Sequence, residues 1–334
     1  MASSPENVDC SARSGGVRAR SARGAAKIFS AVLCAAAVAL ALPTLASASY
    51  GWPIKPFDRE HPVRGQLNDP RMNGSDFYSS SSHTFHFGLD IAVPDGTAVY
   101  AVAPGFVHYL SSDAITVHGY QGVSTFAYWH VRPIVKNGKK VKLHALLGYV
   151  EPGRGHVHFG EKRGGCYVNP LRRGALTPYS DTTAPTIASL SYYDGTYHEL
   201  ANATISATVG LTVNAFDRPQ LASTWLWAVV TPAWIGWQLV AASGQAISSG
   251  HWDLGSTLCS INPFGVFAPG TSKNSSYGAG AYNYWLGAQW DTSRVANGTY
   301  SLFVTVANVR GNKTTKIVSF SVANDPATVT TPSL

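Results

Sequence analysis

From residue 50 onward, the apolar residues of this chain recur at every second position or in short runs cut by Gly, Pro and Asn. They almost never recur at helical spacing. A period of two lines one face of a strand, whereas an amphipathic helix needs a period near 3.6. Val209, Leu211, Val213 and Ala215 alternate with Gly210, Thr212 and Asn214, so one strand face should be buried and the other exposed. Tyr300, Leu302, Val304 and Val306 repeat the pattern after the Asn297-Gly298 turn. A second turn over Asn308 to Thr314 leads into Val318, Phe320 and Val322, which is hairpin grammar. Charged residues make up only 13% of the chain, against ~25% in ordinary globular domains. The predicted fold class is all-β, built from antiparallel sheets.

The first 48 residues follow other rules. Arg13, Arg18, Arg20, Arg23 and Lys27 precede the apolar run Phe29 to Leu42, then Pro43, then Ala46-Ser47-Ala48. A basic stretch, an apolar run and an A-x-A site make a secretory signal peptide. The run falls short of the ~20 apolar residues that a membrane span needs. An exported, cell-wall-associated protein is therefore expected. The leader holds +3 of the formal net charge of +7, with Glu6 and Asp9 its acids, so about +4 remains on the mature chain. That mild excess suits an anionic surface. No dense Lys/Arg run interleaved with aromatics is present, so nucleic acid is not an expected partner.

Residues 49–176 form one compositional block, and residues 177–185 read as a linker with two prolines. Residues 186–324 form a second β-rich block, expected to be an immunoglobulin-like sandwich by fold-level analogy, and 325–334 a polar tail. Seven of the nine tryptophans lie in the second block, where core packing is the expected role of most. Cys166 and Cys259 outlast the leader, and the sequence leaves open whether they pair or remain two thiols.

Nine of the eleven histidines fall between His61 and His158, which marks the first block as the chemical one. In a strand, His156 and His158 project from one face, so one can bind a metal while the other faces what the metal polarises. His86 and Asp90 would lie about 13 Å apart on a straight strand, too far to share an ion, so the chain must bend, and Gly88 is the residue that permits it. Three ligands, His86, Asp90 and His158, leave the fourth tetrahedral position to water, as in catalytic rather than structural zinc sites. Such a zinc-activated water can attack a polarised carbonyl, and His130 and His156 are then candidates for proton transfer and oxyanion stabilisation.

Between Val63 and Leu171 the chain resembles the lysostaphin/LytM-type peptidases. Their pattern H-x-x-x-D, Y-x-H, H-L-H-F appears here as His86–Asp90, Tyr128–His130 and His156-Val-His158-Phe159. The run from Gly88 to Gly105 and the exit Asn169-Pro170-Leu171 agree as well. The resemblance implies an antiparallel peptidase core that binds one Zn2+ per chain. It implies His86, Asp90 and His158 as ligands, His130 and His156 as catalytic helpers, and peptidoglycan peptides as substrate. The stretch Gly148 to Gly155 is shorter than the family's Gly-rich loop, and His144 stands where a turn glycine is usual. Ser75 to Ser82 reads as a loop beside the site, which Asn68, Asp69 and Arg71 could line. Glu151 and Glu161 are read as solvated charges or as partners of a ligand imidazole. His83, His108, His118 and His144 are read as surface or structural. The competing reading is a silent wall-binding or hydrolase-activating protein on the same fold. Such proteins typically lose part of the metal motif, and all five positions are kept here.

Overall fold

The computed structural model describes residues 49–72, 85–119, 124–201, 204–221, 223, 225–259, 265–287 and 289–324. The expected leader, the loop Ser75 to Ser82, His83 and the tail lie outside them. The described residues from Ser49 to Asn324 form one compact unit. Among the described residues its one helical element is a 3-10 turn at Thr292–Arg294; the rest is strand and turn.

The site rests on a sheet in which Val63–Gly65, Leu89–Ala92, His156–Arg163, Thr125–Trp129, Ala114–Gly119, Gly105–Ser111 and Lys140–Val141 are neighbours in that order. Along Leu89–Ala92 the side chains alternate. Leu89 and Ile91 are fully buried, while Asp90 and Ala92 face the other way. On His156–Arg163, Val157 and Phe159 are likewise buried without exposed surface. These residues join Ile115, Val117 and Tyr128 in one core. The other face of the same strands is left to carry His156, His158 and Asp90.

In the second block, Thr186–Asp194, Thr208–Phe216 and Asn283–Trp285 form one sheet. Lys313–Val322, Gly298–Ala307, Trp234–Ala241 and Ala246–Asp253 run side by side in another, with Thr204–Ile205 at its edge. Val209, Leu211 and Val213 meet Leu302, Val304 and Phe320 in a common core, a two-sheet sandwich. The expected exposed face of Thr208–Phe216 is in fact covered. The Trp285 ring lies over Gly210, where an added Cβ would come within 2.5 Å of it, and Thr212 is 4% exposed. Of the seven tryptophans, Trp285 is buried and Trp237, Trp252 and Trp290 pack partly buried against the core. Trp234 instead stacks in the open on His251.

The two blocks are knitted together. Cys166–Val168 pairs with His156–Arg163 on one side and with Thr257–Leu258 on the other, and a disulfide joins Cys166 to Cys259. Leu67, Met72 and Phe85, from the first block, pack into the sandwich core. The connecting segment is pinned as well: Asn312 Nδ2 donates to Asp181 O, and Asn308 Nδ2 to Thr183 O, each at 2.7 Å.

Candidate metal centre

Strand register does most of the positioning. His158 pairs directly with Asp90 on one side and with Trp129 on the other. Cross-strand partners hold their Cβ atoms about 4.5–5.5 Å apart, so the Asp90 carboxylate and the His158 ring meet without special effort. Their nearest atoms, Oδ1 and Nδ1, lie 3.1 Å apart. His86 arrives from outside the strand. Its backbone pairs with Asn68 and Asp69, at 2.8 Å for both Asn68 N to His86 O and His86 N to Asp69 O, and the chain bends at Gly88 before Leu89–Ala92 begins. His86 Nε2 then sits 3.0 Å from Asp90 Oδ1 and 2.7 Å from His158 Nδ1. The three donor atoms lie within 4.8 Å of one another.

Gly88 has a second task besides the bend. A Cβ there would fall 2.6 Å from Phe159 O and 2.7 Å from His158 Nε2, so the bare backbone is what lets the His158 ring lie against it.

Partners behind the cluster fix its orientation. His86 Nδ1 donates to Gln66 O at 2.8 Å, which leaves the Nε2 lone pair free toward Asp90 and His158. Arg71 Nη2 donates to Asp90 Oδ2 at 2.8 Å, so Oδ1 remains for the cluster. Burial alone would raise the Asp90 carboxyl, but the Arg71 guanidinium bonded to it works against burial, and the carboxyl lies well below the usual range. Burial, helped by Arg71, lowers His86 to about 3. A neutral imidazole and an ionised carboxylate are the forms that bind a metal.

A cleft of about 350 Å³ opens over the cluster, lined also by Phe87, Trp129, His130 and His156. Tyr128, between them in sequence, is core: it is fully buried, and its hydroxyl accepts from Val102 N at 3.0 Å. His130 leaves the strand with φ of 64°, which turns its ring back over the cleft, 4.6 Å from that of His156. Burial, then His156 and Arg154, lowers His130 to about 4. Its Nδ1 lies 3.8 Å from Asp113 Oδ2, beyond hydrogen-bond range. His156 Nε2 points to Asp90 Oδ1 at 3.5 Å, and its Nδ1 lies 2.7 Å from Arg154 O and 2.5 Å from Arg64 Nη2. Among the described residues, three buried side-chain polar atoms have no hydrogen-bond partner: Trp129 Nε1, His130 Nδ1 and His158 Nε2. All three belong to residues of this cleft. Orphaned polar atoms are rare in folded proteins, and their gathering at one place marks a site built for a ligand.

All five residues singled out in the sequence meet here. Of the residues around them, Arg71 lines the cleft, whereas Asn68 and Asp69 are buried behind His86, where they bond to Leu254 O and Thr231 N. Glu161 touches no ligand imidazole and is not solvated. It is fully buried and gripped by Arg172 and by the Tyr50 hydroxyl, at 2.7 and 2.6 Å. Glu151 sits by Arg154 at 3.6 Å. His144 takes φ of 60° and stacks on Phe57. Gln66, Arg64 and Asp113 had no signal in the sequence, because they act through a main-chain oxygen or through partners remote in the chain.

Residues 84–170 match the family model described as peptidase family M23. Among solved structures, the chain is similar to the catalytic domain of the antimicrobial peptidase lysostaphin from Staphylococcus simulans. That match has 24% identity over 24% of this chain and 68% of that one, with a TM-score of 0.22. A zinc containing peptidase from Vibrio cholerae matches at 20% identity over 37% of this chain and 39% of that one, TM-score 0.30. Csd3 from Helicobacter pylori matches at 18% identity over 41% and 38%, TM-score 0.31. No curated protein matches the chain.

Proposed function

We propose that this chain, a peptidase of family M23 over residues 84–170, is an exported zinc endopeptidase that hydrolyses peptide bonds in bacterial peptidoglycan. The convergence of His86, Asp90 and His158 in a cleft shared with His130 and His156 carries the reading. Two imidazoles and one carboxylate suit zinc, and three ligands rather than four suit a catalytic site. When bound, zinc supplies a Lewis acid and brings a water's acidity into the neutral range.

The remaining chemistry falls to the protein's own side chains. Gln66 O and Arg71 keep His86 and Asp90 in their ligating forms. His130, neutral above about pH 4, accepts a proton, and the Asp113 carboxylate behind it favours the resulting imidazolium. His156 Nδ1 lies 2.7 Å from Arg154 O and 2.5 Å from Arg64 Nη2, which fixes the ring with Nε2 facing the cleft. In its protonated form the ring also carries a hydrogen on Nε2, which can stabilise negative charge developing on a carbonyl oxygen. Export is supported by the leader's basic, apolar and A-x-A segments.

The test is mass spectrometry of fragments released from defined peptidoglycan by the zinc-loaded protein, beside His158→Ala. The expected result is peptide-bond cleavage by the first and none by the second. Equal products from both would remove the enzymatic claim, and zinc binding without cleavage would favour a silent wall-binding protein.

A further inference from the structure

Next to the metal cleft lies a larger depression of about 850 Å³, and His156 lines both. Its wall brings together residues far apart in the chain: Arg64 and Arg154 from the peptidase block, and Trp225 from the sandwich. Arg64 is half-buried, with its guanidinium carbon 4.2 Å from the centre of the Trp225 ring. Among the described residues no carboxylate pairs with it. Arg154 is exposed and only loosely held, 3.4 Å from Asp113 and 3.6 Å from Glu151. The acid in the lining, Asp95, points its two oxygens at the Gly153 and Gly155 amides, at 2.6 and 2.8 Å, so loop N–H groups engage its charge.

A guanidinium held over an indole and bonded to a backbone carbonyl has lost much of its freedom before any ligand arrives. With Nη2 engaged by Arg154 O, its charge and its remaining N–H groups are what a carboxylate would meet. The distance from the chemistry is short, because the His156 ring alone separates Arg64 from the Asp90 oxygen it faces. An extended peptide advances ~3.3 Å per residue.

We infer that this depression is a substrate subsite for a carboxylate carried by the peptide within two residues of the scissile bond, and that the sandwich helps build it through Trp225. The inference rests on the peptidase reading above and narrows it. Stem peptides bearing free carboxylates are the preferred substrates, and glycine cross-bridges, which carry no side-chain charge, are not.

Two synthetic peptides of one sequence test it, the first with a free carboxylate two residues from the scissile bond, the second with that group amidated. The zinc-loaded full chain should cleave the acid with a kcat/KM about tenfold or more above the amide, chiefly through KM. In Arg64→Gln the ratio of acid to amide should fall to near one, whatever happens to the absolute rates. Trp225→Ala should lower the same ratio. A wild-type ratio of one, or a ratio unchanged in Arg64→Gln, overturns the subsite and leaves the peptidase standing. A wild-type protein that cleaves neither peptide nor peptidoglycan overturns both.

Discussion

Thr231 donates its backbone N–H to Asp69 Oδ1 at 2.8 Å, across 162 positions of sequence. The same turn carries Gln66, whose carbonyl orients His86 and whose side chain donates to Thr231 O. A metal-ligating imidazole is thus steadied by a turn that is itself held by the sandwich.

Removing the sandwich should therefore damage the metal centre. A protein ending at residue 176 would bare Leu67, Met72 and Phe85, each now at most 5% exposed. Their burial contributes roughly 1.5–3 kcal/mol apiece. The truncated protein should melt far lower and bind zinc more weakly, by calorimetry and metal analysis. Wild-type affinity in the fragment would show that the turn supports itself.

Asp69 should make stability depend on pH. Burial pushes its carboxyl up to about 7, against the pull of Arg71 and two backbone N–H groups. The folded chain then keeps a proton that the unfolded chain releases near ~4. This contribution is full below about pH 4 and lost as pH rises toward 7. Urea midpoints at pH 5 and pH 8 should differ more in wild type than in Asp69→Asn, which cannot titrate. Identical differences would refute the assignment.

Gly88→Ala places a methyl against Phe159 O and the His158 ring. Overpacking of this kind costs about 1–3 kcal/mol. Thermal unfolding should show that loss together with weaker zinc binding, while Gly96→Ala, whose Cβ position is open, should leave zinc binding unchanged.

His130→Ala should keep its zinc, because His130 is not among the three converging donors. It should lose activity by about 10²–10⁴-fold in kcat, the usual worth of a general base. Metal content measured with single-turnover rates separates the two effects. Full activity in this variant would move the proton-transfer role elsewhere.

Breaking the Cys166–Cys259 bond by Cys→Ser at both positions should cost about 2–5 kcal/mol. Denaturant titration of the variant beside the oxidised protein reads this directly. Equal midpoints would mean that strand pairing alone holds the junction.

The sequence revealed those parts of the site that obey strand periodicity. His156 and His158 share a face because they are two apart, and Asp90 meets His158 because their strands pair in register. The all-β fold was legible for the same reason. The Trp285 ring over Gly210 was not, since no local pattern says which strand face a distant side chain will cover. Neither were Arg64 against Trp225 and Asp69 against Thr231, contacts that only the assembled blocks create. Glu161 misled because a lone acid in a strand reads as solvated until its arginines are found eleven and two residues away.

The Cys166–Cys259 link closes a covalent ring around the chain that leads from the peptidase sheet into the sandwich. A single proteolytic nick anywhere inside that ring leaves both pieces tethered. Trp225 lies within it, so a nicked molecule keeps the aromatic side of its groove from drifting away.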